Sequence, residues 1–366
     1  MKKFQQILTL ALSLGFLVVF SAWFLIAPDA EESTVERRRL AKRPALSFSS
    51  VTNGSFMNGF EKYMLDQFPL RNGFRGLKAT VSAKVFMKKD NNGLYSVGEH
   101  LSKLDFPTDS ESVDHAARRF RYVYDTYLRN AGTKTYLSVI PDKNTFIASQ
   151  NGYPDKDYKA LTERLRSGFP EAKYIDISGL LSADDFYYTD SHWRQERITK
   201  VADEIAAQMG AERIGTCEIQ DTGRPFYGVY YGQAALPHAP ERLFYLDNAV
   251  IRGLKVYNVE TQSDIPVYDL GAAAGRDPYE MFLGGARSII KITNPNAAQE
   301  RRLIVFRDSF GSSIAPLLAA GYSEITLVDI RYISPLSLGK LIDFTKADDV
   351  LFLYSASVIN NSETIK

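Results

Sequence analysis

Asp190-Ser191-His192-Trp193 and Arg307-Asp308-Ser309-Phe310-Gly311 are the two places where residue types and spacing could assemble a Ser-His-Asp site. Asp190 and His192 stand two apart, so on an extended segment both side chains lie on one face. A carboxylate so placed holds an imidazole in one tautomer. Ser309 follows the apolar run Leu303-Ile304-Val305-Phe306 and precedes Gly311 and a helical pattern at Ile314, Leu317 and Leu318. That reads as strand, sharp turn, helix. Such a turn exposes the serine and sets backbone N–H groups where an oxyanion would form. The chemistry is attack on an ester or acyl group. Ser309 is the nucleophile, His192 takes its proton and returns it to the leaving group, and Asp190 orients and stabilises the imidazolium. The plainer readings are a chance D-x-H pair and an Asp-Ser pair that merely caps a helix.

Other residues could contact substrate. Oxyanion donors are the Ser309 or Phe310 N–H and an amide of the Gly284-Gly285 turn, which reads equally as a plain tight turn. Arg307 and Lys143 carry charge near two strand ends; they bind an anionic sugar or phosphate, or pair with Asp308 and Asp142. Trp193 stacks on a sugar ring or holds the histidine segment from the core. Tyr230, Tyr231 and Tyr279 line a glycan groove or pack. Of the remaining histidines, His115 lies in an amphipathic helix, and His100 and His238 lie in Gly- and Pro-flanked loops.

The elements that must position these groups follow from periodicity. Phe56, Phe60, Tyr63, Met64 and Phe68 recur at helical spacing up to Pro69. Thr108 and Glu111 suggest a capping box for a helix through Val113, Ala117, Phe120, Tyr124 and Tyr127. A strand at 135–140, a helix near 157–168, a strand at 174–177 and a helix at 198–209 closed by Gly210 come next. From about 217 to 298 the chain is rich in Tyr, Gly and short β-like runs, without helical period. Alternation then resumes: strand 302–306, helix 312–320, strand 325–329, helix 336–344, strand 350–354. This order predicts an α/β domain over 51–366, a mostly parallel sheet covered by helices, with a β-rich insert at about 217–298.

Composition narrows the class. Lys+Arg number 44 against 43 Asp+Glu, a balance that gives no reason to expect nucleic acid as a partner. Cys217 is the one cysteine, so no internal disulfide and no paired-cysteine zinc spacing exists, and no metal or cofactor is expected. Ile7 to Ala27 is uncharged and long enough to span a hydrocarbon core of about 30 Å. We expect residues 1–28 to be an uncleaved membrane anchor rather than a cleaved signal peptide, since the apolar run is long and no small-residue cleavage site follows. Residues 29–50, polar with Pro44, read as a stalk. The short basic start, Lys2 and Lys3, argues for an N-terminus inside and the domain outside the cytoplasmic membrane. The cluster Arg37, Arg38, Arg39, Lys42 and Arg43 argues the other way, but it begins well beyond the span, and we expect the N-terminus inside and the domain outside.

Read together, these blocks resemble the DHHW family of bacterial cell-surface proteins, which are similar to the alginate O-acetyltransferase proteins with an SGNH-hydrolase-like fold. The resemblance covers most of the chain. It rests on the D-x-H-W and R-D-S-F-G segments, Glu61-Lys62-Tyr63, Asp66 to Arg71, and Ile140-Pro141-Asp142-Lys143. Asp277 to Gly285, Ala315-Pro316 and Asp329 to Tyr332 complete it. The name motif has His at its second position, where this chain has Ser191; the triad roles fall on the first and third positions. The resemblance implies a membrane-anchored, extracytoplasmic O-acyltransferase, acetyl in particular, that modifies a cell-surface or exported polysaccharide. A multi-pass membrane O-acyltransferase would be the acyl-donating partner. A carbohydrate esterase of the same fold and a non-catalytic glycan-binding or assembly protein are the competing readings.

Overall fold

A strand with apolar residues on both faces needs a layer on each side of its sheet. The structure is a computed structural model that describes residues 2–366. It divides into two compact units. One takes the chain up to Asn92 together with Tyr231–His238, and the other holds Gly93–Tyr230 and Ala239–Lys366.

The first unit begins with α1 (Lys2–Ile26), a helix long and apolar enough to cross a membrane and without a buried residue. Glu32–Ser33 pairs antiparallel with Arg38–Arg39. Two helices follow, α2 (Ser55–Gln67) and α3 (Arg71–Lys84). Gln67 ties α2 to the chain just after α1, accepting from Ala30 N at 2.9 Å and donating to Ala30 O at 3.0 Å. Tyr63 Oη donates to Asp29 Oδ1 at 2.7 Å.

The second unit runs α4 (Ser110–Val123), β1 (Lys134–Ile140), α5 (Tyr158–Gly168), β2 (Lys173–Tyr174) and α6 (Thr199–Met209). Then come β3 (Glu218–Phe226), β4 (Glu241–Asp247), β5 (Lys255–Asn258), β6 (Ser263–Ile265) and β7 (Ile289–Thr293). It ends with β8 (Arg302–Arg307), α7 (Gly311–Leu318), β9 (Glu324–Val328) and β10 (Asp349–Ser355). The main sheet has eight strands in the order β6-β5-β7-β9-β8-β10-β1-β2. From β9 to β2 the neighbours are parallel. On the other side β7, β5 and β6 extend it antiparallel. β3 and β4 pair apart from it as a hairpin.

Alternation along the central strands explains the layers. On β8, Leu303 and Val305 join Val201, Ile205, Ile314 and Leu317 of α6 and α7. Ile304 and Phe306 join Val113, Phe120, Leu161 and Leu165 of α4 and α5 on the opposite face. The fold is thus mixed α/β with a mostly parallel sheet, and its parallel strands all end at one edge.

Local details differ from the sequence reading where several residues could serve. Helix α4 is capped by Asp109, whose Oδ1 accepts from Glu111 N and Ser112 N, both at 3.0 Å. Thr108 Oγ1 instead accepts from Asp157 N, so no Thr108–Glu111 capping box forms. The strand expected at 174–177 pairs only over Lys173–Tyr174. The helix expected at 336–344 is a 3-10 stretch, Pro335–Lys340, and a second turn, Phe344–Lys346. The stretch from 217 to 298 also holds two short helices, Val229–Ala234 and Ala249–Gly253.

A buried cation anchors the chain beyond β1. The Lys156 side chain is fully buried and bridges Asp105 and Asp142, and Asp142 Oδ1 also accepts from Ser357 N at 3.2 Å. Lys156→Met would leave two carboxylates uncompensated and is expected to cost about 3–5 kcal/mol. A lowered urea midpoint of the detergent-solubilised chain would show it; an unchanged midpoint would contradict this account.

Candidate active site

The turn after β8 is built by its own side chains. Asp308 is fully buried; its Oδ1 accepts from Phe310 N at 3.0 Å and its Oδ2 from Ser355 N, at the end of β10, at 2.8 Å. The chain then turns so sharply into α7 that a Cβ on Gly311 would lie 2.6 Å from Arg307 Cβ. Between them Ser309 is left half-buried at the C-terminal edge of the parallel strands.

His192 reaches this edge from the loop after β2. Its Nε2 lies 2.7 Å from Ser309 Oγ, and its Nδ1 lies 2.6 Å from Asp190 Oδ1. A carboxylate accepts only, so Nδ1 carries the proton and the Nε2 lone pair faces the serine hydroxyl. Asp190 is fully buried, and it is held on both oxygens: Oδ1 also accepts from His192 N at 3.1 Å and Oδ2 from Val229 N at 2.8 Å. The arrangement can deprotonate Ser309 and return the proton to a leaving group.

The loop that carries Asp190 is clamped by two buried groups of opposite charge. Lys143 Nζ donates to the carbonyls of Tyr187 at 2.7 Å, Tyr188 at 2.9 Å and Asp190 at 3.0 Å. The Glu241 carboxylate takes the amides, Tyr188 N at 2.7 Å and Thr189 N at 2.8 Å. Arg194 Nη2 completes it, donating to Glu241 Oε1 at 2.6 Å. Burial pushes the Lys143 ammonium down to about 7, while Glu241 and Asp190 pull it up. The loop also packs backbone to backbone: Gly228 N donates to Thr189 Oγ1 at 2.8 Å, and a Cβ on Gly228 would meet Thr189 O at 2.2 Å.

Aromatic rings fix the imidazole plane. Tyr279 stacks on His192, centroids 3.9 Å apart and planes 12° apart. Tyr279 Oη and Trp193 Nε1 both donate to Ser313 Oγ, each at 2.8 Å. Ser313 Oγ in turn donates to Phe310 O at 3.3 Å, so its donor and both acceptor positions are filled.

Several of the contact residues read from the sequence therefore do other work. Lys143 spends its donors on the Asp190 loop instead of an anionic sugar, and does not pair with Asp142. Arg307 is fully buried, facing Asp329 at 3.9 Å and the Asp308 carbonyl at 3.3 Å, which removes it from any surface ligand. Trp193 is fully buried against Phe310 and has no face for a sugar. Tyr279 is buried under His192 rather than lining a groove. Tyr230 is half-buried, donating through its N–H to Thr189 O at 3.0 Å. The Phe310 N–H belongs to Asp308 and is lost as an oxyanion donor. The amides of Ser309 and Gly284 have no hydrogen-bond partner among the described residues. Gly284 and Gly285, with φ of 70° and 75°, lie just before β7, whose first residue pairs with the last of β9, at the edge that carries Ser309. Glu241, Ser313, Thr189 and Gly228 escaped the sequence reading, because nothing in their spacing ties them to Asp190 or His192.

No family model matches the chain, and no curated protein matches it in sequence. Solved structures do. A DHHW family protein from Eubacterium siraeum DSM 15702 superposes with a TM-score of 0.60 at 19% identity, covering 75% of this chain and 95% of that one. Bacillus cereus PatB1 superposes with a TM-score of 0.58 at 17% identity, covering 75% and 98%. A second structure of PatB1 carries a sulfonyl adduct. The likeness is one of fold: these proteins share the mixed α/β architecture described above.

Two outcomes test the clamp. Gly228→Ala is expected to lower the thermal midpoint by several degrees, since a backbone carbonyl must move; an unchanged midpoint would contradict the close approach. Lys143 loses its proton near 7 in the folded chain and near 10.5 in the unfolded one. Between those values the unfolded state binds more protons, so this group makes stability rise with pH, by at most about 1.4 kcal/mol per unit. Lys143→Met should flatten that rise; identical pH profiles of the two chains would contradict it.

Proposed function

We propose that this chain is a membrane-anchored O-acyltransferase, acetyl in the first instance, working outside the cytoplasmic membrane on a cell-surface or exported polysaccharide. The observation that carries the reading is the unbroken line of hydrogen bonds from Asp190 through His192 to Ser309. In this mechanism Ser309 Oγ bonds the acyl carbon as its proton passes to His192 Nε2, and the leaving group departs with that proton. An acceptor hydroxyl then gives its proton to His192 and takes the acyl group, and Ser309 recovers its proton as the C–Oγ bond breaks. Asp190 stays ionised and stabilises the imidazolium. The free Ser309 amide, with that of Gly284, is suited to the oxyanion.

Further support is indirect. The likeness to a DHHW family protein and the sulfonyl adduct of PatB1 agree with a reactive nucleophile on this fold. Helix α1 suits an anchor, and its short basic start suits an N-terminus inside. A multi-pass membrane O-acyltransferase is the acyl source that such a topology calls for.

The test is turnover. With an activated acetyl ester, Ser309→Ala is expected to lose at least about 10³-fold in acetate release. Asp190→Asn should retain more activity than Ser309→Ala, because the oxyanion donors and a misoriented imidazole survive. Addition of oligosaccharide should divert acetyl from water to sugar, seen by mass. Release unchanged by any acceptor would make the chain an esterase, and wild-type turnover by Ser309→Ala would sink the triad.

A further inference from the structure

The corner between α2 and α3 carries an apolar surface that is largely exposed. Leu70 and Leu77 are each 60% exposed, and Val85, Phe86 and Met87 extend the surface beyond α3. Leu70, Phe74, Leu77, Val81 and Val85 recur at helical spacing, so they form one stripe. Exposed apolar area of this extent marks a binding face.

What α1 touches identifies the occupant. Phe68 stacks on Phe20 at 5.4 Å, and Phe74 meets both Phe20 at 5.6 Å and Phe16 at 6.3 Å. Tyr63 meets Phe24 at 5.4 Å. At 1.5 Å per residue, Phe20 and Phe16 lie about 10 and about 16 Å along the helix from Ala27. The corner thus sits beside the apolar length of α1, not beyond its polar end. With α1 in a bilayer, whatever lies at that level is surrounded by lipid unless a protein displaces it. Trp23, exposed on α1 near its C-terminal end, is of the type that marks a membrane boundary.

Charge agrees with this placement. Asp66 and Arg71, which flank the corner, are both paired, Asp66 with Arg38 at 2.8 Å and Arg71 with Glu36. Lys78, Lys84 and Lys88 are exposed along α3 and just after it, where their stems can reach anionic headgroups.

We propose that the α2–α3 corner is a second membrane contact, with its apolar stripe seated in the lipid surface beside α1 and its lysines among anionic headgroups. The proposal rests on the reading of α1 as a membrane span. It makes the first unit a foot held at two places, which would restrain the tilt and rotation that a single helix leaves free.

The test uses the full chain with Cys217→Ser, reconstituted in vesicles of phosphatidylethanolamine and phosphatidylglycerol. Single cysteines at Leu12, Leu70, Leu77 and Glu163 carry a nitroxide, and its collisions with oxygen and with a water-soluble nickel chelate are compared. Leu70→Cys and Leu77→Cys are expected to give an oxygen-to-nickel ratio several-fold above Glu163→Cys and close to Leu12→Cys. If Leu12→Cys itself reads as water-exposed, the anchor fails and the proposal with it. If Leu12→Cys reads lipid while Leu70→Cys and Leu77→Cys match Glu163→Cys, the proposal alone is overturned. Labels hidden from both reagents would also overturn it, by marking a protein partner or a second copy on this face.

Discussion

The placement of His192 depends on a few residues of backbone, Tyr187 to Asp190, that have no regular structure to hold them. Their polar groups are satisfied by two buried ions. Lys143 takes three carbonyls and Glu241 takes two amides. Each ion alone would be costly to bury. Together they read opposite ends of the same peptide dipoles, and Arg194 offsets the charge of Glu241. The loop is thus held by ions at both ends of its peptide units, and it leaves His192 half-buried at the sheet edge.

The serine half is held differently. Asp308 ties its own turn to the end of the neighbouring strand through Ser355 N, so Ser309 is anchored to the central sheet. The two halves meet through Ser313, one turn into α7, which receives the hydroxyl of Tyr279 and the indole of Trp193. Since Tyr279 lies flat on the imidazole, the plane of His192 is set by the helix that follows Ser309. Stacking and hydrogen bonding through one serine thereby couple residues 192, 279 and 309 across the chain.

How much of this was legible in the sequence depended on distance along the chain. The D-x-H spacing and the strand-turn-helix around Ser309 are local, and the order of strands and helices follows from periodicity. Arg307 and Lys143 read from sequence as ligand-facing charges or as partners of Asp308 and Asp142, because charged side chains are usually exposed or paired locally. Their burial depends on Asp329 and on the carbonyls of 187–190, which periodicity does not bring near. The Phe310 amide looked available until the Asp308 side chain turned back on it. At the start of α4, Thr108 and Asp109 are both good caps, and only the fold decides between them. Pro335 and Gly339 shorten the turns after β9 into 3-10 form, a choice too local and too weakly patterned to be read from apolar spacing.

In the proposed mechanism His192, oriented by Asp190, makes Ser309 a nucleophile. Covalent labelling probes this without knowledge of the acyl donor or the glycan. The intact chain is treated with an aryl sulfonyl fluoride and the modified peptide is sequenced by mass spectrometry. One adduct on Ser309 is expected, formed far more slowly in His192→Ala. Labelling of Ser309 at equal rates in both chains, or an adduct only on other residues, would contradict it.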